Sequence, residues 1–255
     1  YRTGAIESAG AVGEALAPSW SGSLLVQPSG GQTAAHAATA GTSEVTTGTR
    51  SVAMDGQGRF TVIWNNGGDV AYQRFNADGT NAGASSTVNN VYTVYDSAVA
   101  SNNAGRAAIA YFEYYPGVLG LILADAHVKL DVFDASGART LSVNVASANL
   151  LEGLLGNVLT GNPQITPTVA MDDAGNMAVA WNIGTKVVMA WVDSAGTLLG
   201  SQVIEAGAAT SQVAVAMGTS GTVLSWTRAG DGVYAQFYDA GRVAIGGAQQ
   251  VPGTA

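Results

Sequence analysis

Bulky and small apolar residues alternate along short segments of this chain, and the segments recur. Phe60, Val62 and Trp64 fall on one face of an extended segment, with Thr61 and Ile63 on the other. Ala107, Ile109 and Tyr111 oppose Ala108 and Ala110, and Met177, Val179 and Trp181 oppose Ala178 and Ala180. Thr222, Leu224 and Trp226 likewise oppose Val223 and Ser225. A period of two is the pattern of a β-strand. One face of each strand is mostly bulky and the other mostly small. The pattern therefore predicts sheets that stack bulky side into small side, at ordinary core density.

These strands sit inside a longer repeated phrase. It runs Val52-Ala-Met-Asp-Gly-Gln-Gly-Arg-Phe-Thr-Val-Ile-Trp64 and returns ending at Tyr111, Trp181 and Trp226, the last copy one residue shorter. From the Trp to a closing Gly is 15 residues in the first, third and fourth copies: Trp64 to Gly79, Trp181 to Gly196, Trp226 to Gly241. Asp55 to Gly58, Asp172 to Gly175, Asn76 to Gly79, Asp134 to Gly137 and Asp193 to Gly196 read as hairpin turns, because Asp and Asn bond to their own backbone and Gly supplies positive φ. Final strands are expected at Ser85 to Asn89, Thr140 to Val145, Gln202 to Glu205 and Ala248 to Val251. Four antiparallel strands per unit of about 46 residues match propeller blades. The expected fold is all-β and propeller-like, with four clear blades at 45–92, 93–165, 166–207 and 208–255. Residues 1–44 form an N-terminal arm or a degenerate fifth blade containing Trp20. Trp64, Tyr111, Trp181 and Trp226 are expected to be packing anchors between blades rather than binding residues.

The phrase resembles the propeller-like repeats of large bacterial surface and secreted proteins, the first copy, Val52 to Gly79, most closely. The resemblance covers residues 45–255. It implies an extracellular β-repeat domain and carries no catalytic residue over to this chain. Composition agrees with that setting: 34 glycines, no cysteine and 11% charged residues. The chain begins at Tyr1 with no visible signal peptide, so a segment of a longer precursor is expected. Ten basic against eighteen acidic residues leave a net charge of −8, which argues against a nucleic-acid partner. No apolar stretch reaches the 18–20 residues of a membrane helix, and no membrane insertion is expected. The Asp-rich turns invite a calcium reading, but turn chemistry accounts for them, so no cofactor is expected, with calcium kept as the alternative.

The repeat is broken twice around its second copy, between Tyr111 and Val128 and between Ala146 and Ile165. Both inserts are apolar. Leu150, Leu151, Leu154, Leu155 and Val158 recur at helical spacing, with Asn149 as a cap. Such inserts either plug one end of the domain or form an interface. Tyr114, Tyr115, Leu119, Leu121, Leu150, Leu151, Leu154 and Leu155 are the expected interface residues, with other protein subunits or a second copy as partner. No constellation for catalysis stands out. His36 and His127 lack metal-ligand spacing to a second His, and no Gly-x-Ser-x-Gly elbow occurs. Glu113 and Asp125 share one insert and could meet as a glycosidase pair, but two carboxylates in a long loop read first as solvent-exposed charge. The leading expectation is a non-enzymatic extracellular module for adhesion or assembly. The alternative is a carbohydrate-binding propeller using Tyr114 or Tyr115, and a weaker one is a glycan-processing enzyme using Glu113 and Asp125.

Overall fold

The computed structural model describes residues 43–44, 51–88, 91–115, 125–147, 165–205 and 209–254. The expected helix at 150–158, and with it Leu119, Leu121, Leu150, Leu151, Leu154 and Leu155, lies outside the described residues, as do Trp20 and His36. Among the described residues every element is a strand. β1 (Ser43–Glu44), β2 (Val52–Met54), β3 (Phe60–Asn66), β4 (Asp69–Phe75) and β5 (Ser86–Thr87) form the first sheet. The second holds β6 (Thr93–Ser101), β7 (Ala107–Tyr115), β8 (Asp125–Phe133) and β9 (Arg139–Ala146). The third holds β10 (Thr168–Met171), β11 (Met177–Ile183), β12 (Lys186–Val192) and β13 (Leu198–Glu205). The fourth holds β14 (Thr210–Gly218), β15 (Gly221–Arg228), β16 (Gly232–Asp239) and β17 (Ala244–Gln250). The second, third and fourth sheets are antiparallel meanders in chain order.

Bulky faces meet small faces between the sheets. Met177, Val179 and Trp181 pack on the second sheet beside Ala108 and Ala110. On the other face of the same strand, Ala178 and Ala180 receive Leu224 and Trp226 from the fourth sheet. Ile109 and Tyr111 pack against Ile63, Val70 and Tyr72 of the first. Trp64, Tyr111, Trp181 and Trp226 are all buried. The arrangement is radial. First strands lie against first strands (β2 on β6, β6 on β10, β10 on β14). In the third sheet burial declines outward, from the wholly buried β10 to the largely exposed β13. An all-β, propeller-like stack of four-stranded sheets follows directly from this geometry. The pairing of each full-length last strand with its neighbour carries register shifts: β8 with β9, β12 with β13, β16 with β17.

The Asp turns are closed by their own side chains. Asp55 Oδ1 accepts from the amides of Gln57 and Arg59 at 2.9 and 3.0 Å, and Asp172 Oδ1 from that of Asn176 at 2.8 Å. Successive turns are also latched together. Gly56 N donates to Asn103 Oδ1 at 2.6 Å, and Asn103 donates in turn through N and Nδ2 to the carboxylate of Asp173 at 3.1 and 3.0 Å. Arginines fill the space beneath. Arg59 Nη2 donates to Asn103 O at 3.2 Å, Arg74 donates to Asp134 O and Gly105 O, and Arg106 Nη2 donates to Ser194 O at 3.3 Å.

The fourth sheet's first turn, Gly218 to Gly221, lacks an Asp or Asn and depends on backbone conformation instead. Gly221 has φ 150°, and a Cβ there would strike the Tyr238 carbonyl. Gly218 has open space around its Cβ position. Gly221→Ala is therefore expected to destabilise the domain by about 1–3 kcal/mol. Gly218→Ala, three residues away, should be neutral or stabilise by roughly 0.4–1 kcal/mol through the unfolded state. Urea titration of the two variants measures both, and equal losses would show that the clash at Gly221 is relieved by a shift of β16.

Candidate functional site

The first insert turns out to lengthen a hairpin. β7 continues beyond Tyr111 because the alternation continues: Phe112 and Tyr114 point into the core shared with the third sheet, while Glu113 and Tyr115 lie on the opposite face. β8 begins at Asp125, and the register pairs Tyr115 with Asp125, Glu113 with His127 and Tyr111 with Lys129. Six side chains of polar or aromatic character thus share one face of two adjacent strands. Tyr92, just before β6, lies over them.

Glu113 is the centre of this group. Its side chain is only 1% exposed. Oε2 accepts from the backbone amides of Val91 at 3.0 Å and Tyr92 at 3.4 Å. Oε1 stands 3.5 Å from Lys129 Nζ and 3.4 Å from His127 Nδ1. The other imidazole nitrogen, Nε2, faces Asp125 Oδ1 at 3.2 Å. Asp125 is 38% exposed in its side chain, and its Oδ2 accepts from the Tyr92 hydroxyl at 3.2 Å. That hydrogen bond holds the Tyr92 phenol above its ordinary value. The Tyr92 ring stacks on Tyr115 with centroids 5.5 Å apart and lies 6.0 Å from, and nearly parallel to, that of His127. Tyr115 is 41% exposed.

Two carboxylates therefore flank one imidazole, one desolvated and locked, the other open to solvent. Because both reach the same ring, they stand no farther apart than the roughly 6.5–9.5 Å of an inverting glycosidase pair. The three are strung along the ring rather than gathered about a point, and among the described residues no such group is placed to hold a metal ion. Imidazole is the side chain best suited to carry protons near neutral pH. Beside it, Tyr115 offers an exposed aromatic face.

Sequence reasoning paired Glu113 with Asp125, and the structure brings them to one histidine. Tyr115 is exposed. Tyr114 is not: its ring is buried between the second and third sheets, because it falls on the even-numbered face of β7. Burial raises its phenol above the usual range. Tyr92 and Lys129 were missed. The signal for Lys129 was present, since Asp125, His127, Lys129 and Asp131 occupy every second position of β8. Tyr92 lies outside any strand, and nothing local marks it.

A second buried carboxylate stands apart. Asp96, on β6, accepts from the Ser97 amide at 2.7 Å. Burial is the largest influence on it and raises its pKa. The fold thus favours the protonated form. Its stabilising contribution is complete below the unfolded carboxyl value and is lost as pH rises through the folded one. Asp96→Asn, which keeps the acceptor and cannot ionise, is expected to gain on the wild type between pH 3 and pH 7. Urea titrations at the two pH values measure this, and a constant difference would mean that Asp96 is solvated.

No protein-family model matches the sequence, and no curated protein does. Among solved structures, the chain is similar to a xylan β-1,4-xylosidase from Bacillus halodurans, at 12% identity and a TM-score of 0.49, covering 82% of this chain and 42% of that one. It is similar to the Dos1 propeller, at 12% identity and a TM-score of 0.46, covering 78% and 47%. It is also similar to the GH43 BlXynB protein from Bacillus licheniformis, at 9% identity and a TM-score of 0.46, covering 80% and 41%. The chain thus spans less than half of the length of each. At such identities the likeness concerns the arrangement of sheets. The expectation of a non-enzymatic module is withdrawn, since glycoside hydrolases are among the solved structures to which the chain is similar.

Proposed function

We propose that this domain is a carbohydrate-active propeller whose saccharide site is the Glu113–His127–Asp125 cluster with Tyr92 and Tyr115. The observation that carries the reading is the convergence of two carboxylates of unlike exposure on a single imidazole. Asp125, open to solvent and in contact with Nε2, is the group that exchanges a proton with substrate or water. Glu113, held by two backbone amides and facing Lys129, lies 3.4 Å from Nδ1 and does not meet solvent. Tyr115 supplies the apolar platform on which a sugar ring stacks.

Xylo-oligosaccharides are the first probe to try, tested for binding by calorimetry and for cleavage by release of reducing ends. Tyr115→Ala is expected to weaken binding about tenfold, since one aromatic contact is worth about 1.4 kcal/mol. Asp125→Asn is expected to keep binding and abolish cleavage. Neither binding nor cleavage across a panel of plant and bacterial glycans would sink the proposal. Cleavage that survives Asp125→Asn would move the chemistry elsewhere on the chain.

A further inference from the structure

The space between neighbouring sheets, beneath the latched turns, is filled by guanidinium groups in the first two interfaces. Arg59 follows the turn glycine Gly58 and reaches over Gly105, where a Cβ would lie 2.9 Å from its guanidinium. Arg74 donates to the carbonyls of Gly105 and Asp134. In the next interface Arg106 follows Gly105, covers Gly175 and donates to Ser194 O. The Arg74 position is already Val132 in the second interface, and in the third neither position holds an arginine. Asn176 stands where Arg59 and Arg106 do, and it folds back onto Asp172 at 2.9 Å. Trp191 stands where Arg74 does.

A cleft of about 160 Å³, open to solvent, occurs at this place. Its lining includes Thr219, Gly221, Asp239 and Ala240, the counterparts of Asn103, Gly105, Asp134 and Ser194, the four residues whose carbonyls receive arginine in the earlier interfaces. Trp191 forms part of the wall, braced edge-on by Tyr238 at 5.3 Å. An indole face attracts a cation. The indole Nε1–H is buried and has no partner, so the ligand that suits this wall carries an acceptor beside its cation. Arg242 also lines the cleft, and its charge opposes an incoming cation.

We propose that the cleft between the third and fourth sheets binds an arginine side chain presented by a peptide, in the manner in which this chain's own arginines fill the two preceding interfaces. The site is separate from the Glu113–His127–Asp125 cluster, and its success or failure leaves that proposal untouched. The test is a titration of ¹⁵N-labelled protein with N-acetyl-arginine methylamide, following the Trp191 indole resonance, assigned through Trp191→Phe. A saturable shift is expected. The lysine analogue should bind at least tenfold more weakly, and agmatine, which lacks the carbonyl, should also bind more weakly.

Asn176→Arg restores the residue found in the other interfaces and is expected to abolish binding while the melting temperature holds or rises. Arg242→Ala, an exposed change, is expected to tighten binding about threefold. An unmoved Trp191 resonance at tens of millimolar ligand overturns the proposal. So do equal affinities for the arginine and lysine analogues, or undiminished binding by folded Asn176→Arg. Were that variant unfolded, unchanged or weaker binding by Arg242→Ala would overturn it on its own.

Discussion

Truncation of Trp181 to alanine is expected to remove about 3–5 kcal/mol of unfolding free energy, the cost of deleting a fully buried aromatic side chain. Trp181 has no exposed surface and belongs to the core shared by the second and third sheets. Its neighbours across the interface include Ala108 and Ala110, and alanines have no further atoms to swing into a void. The cavity therefore stays open, which places the variant toward the upper end of the range. The indole Nε1 has no hydrogen-bond partner, so the loss reports packing alone. Urea denaturation with an unchanged m-value measures it. A loss under about 1 kcal/mol would mean that the bulky face of β11 is not packed on the second sheet as described.

The second large effect concerns Glu113. Glu113→Ala leaves Lys129 and His127 in place without the carboxylate that faces both, and leaves the amides of Val91 and Tyr92 without their acceptor. Breaking a buried ion pair from one side costs about 3–5 kcal/mol. Glu113→Gln keeps an acceptor oxygen for the amides and loses only the charge, so its cost should be clearly smaller. The two variants together separate the hydrogen bonds from the ion pair. Stability of Glu113→Ala within about 1 kcal/mol of the wild type would show that no desolvated carboxylate is held there. Both variants are also expected to lower saccharide turnover, since His127 loses the group facing Nδ1. Glu113→Gln, which remains folded, is the one in which that effect is readable.

The scaffold was legible in the sequence for a physical reason. A strand buried on both faces must satisfy two neighbours, so Met177 to Trp181 records both its bulky contacts and its alanine contacts in one alternating line. Turns were legible because Asp55 and Asp172 close them from within, through local bonds that spacing alone reveals. The last strands were placed less well. β17 begins at Ala244, where Ala248 was expected, because an exposed strand carries no burial pattern to mark its start. The candidate site was half legible. Glu113, Asp125 and His127 stood close in sequence, but Tyr111 looked like the end of a strand because it ends the repeated phrase. The strand runs on to Tyr115, and only its pairing with β8 shows which residues share a face. Tyr92 comes to the site through tertiary contact, which no local pattern encodes.

The register shifts at the outer pairings bear on how readily a rim strand could pair with another chain. A last strand offers a row of free amides and carbonyls on its outer side, and charged residues, lysine above all, are the common deterrent to intermolecular strand addition. This chain has two lysines, Lys129 and Lys186, and neither lies on a last strand. β17, Ala-Ile-Gly-Gly-Ala-Gln-Gln, has no charge at all. Bulges distort and twist an edge so that it does not match a flat partner. The register shifts of β9 and β13, whose single charges Arg139 and Glu205 stand at one end, and of the uncharged β17 are irregularities of this kind, and they guard the rim by shape where charge is sparse. Straightening one of these bulges would therefore threaten solubility before it threatened the fold.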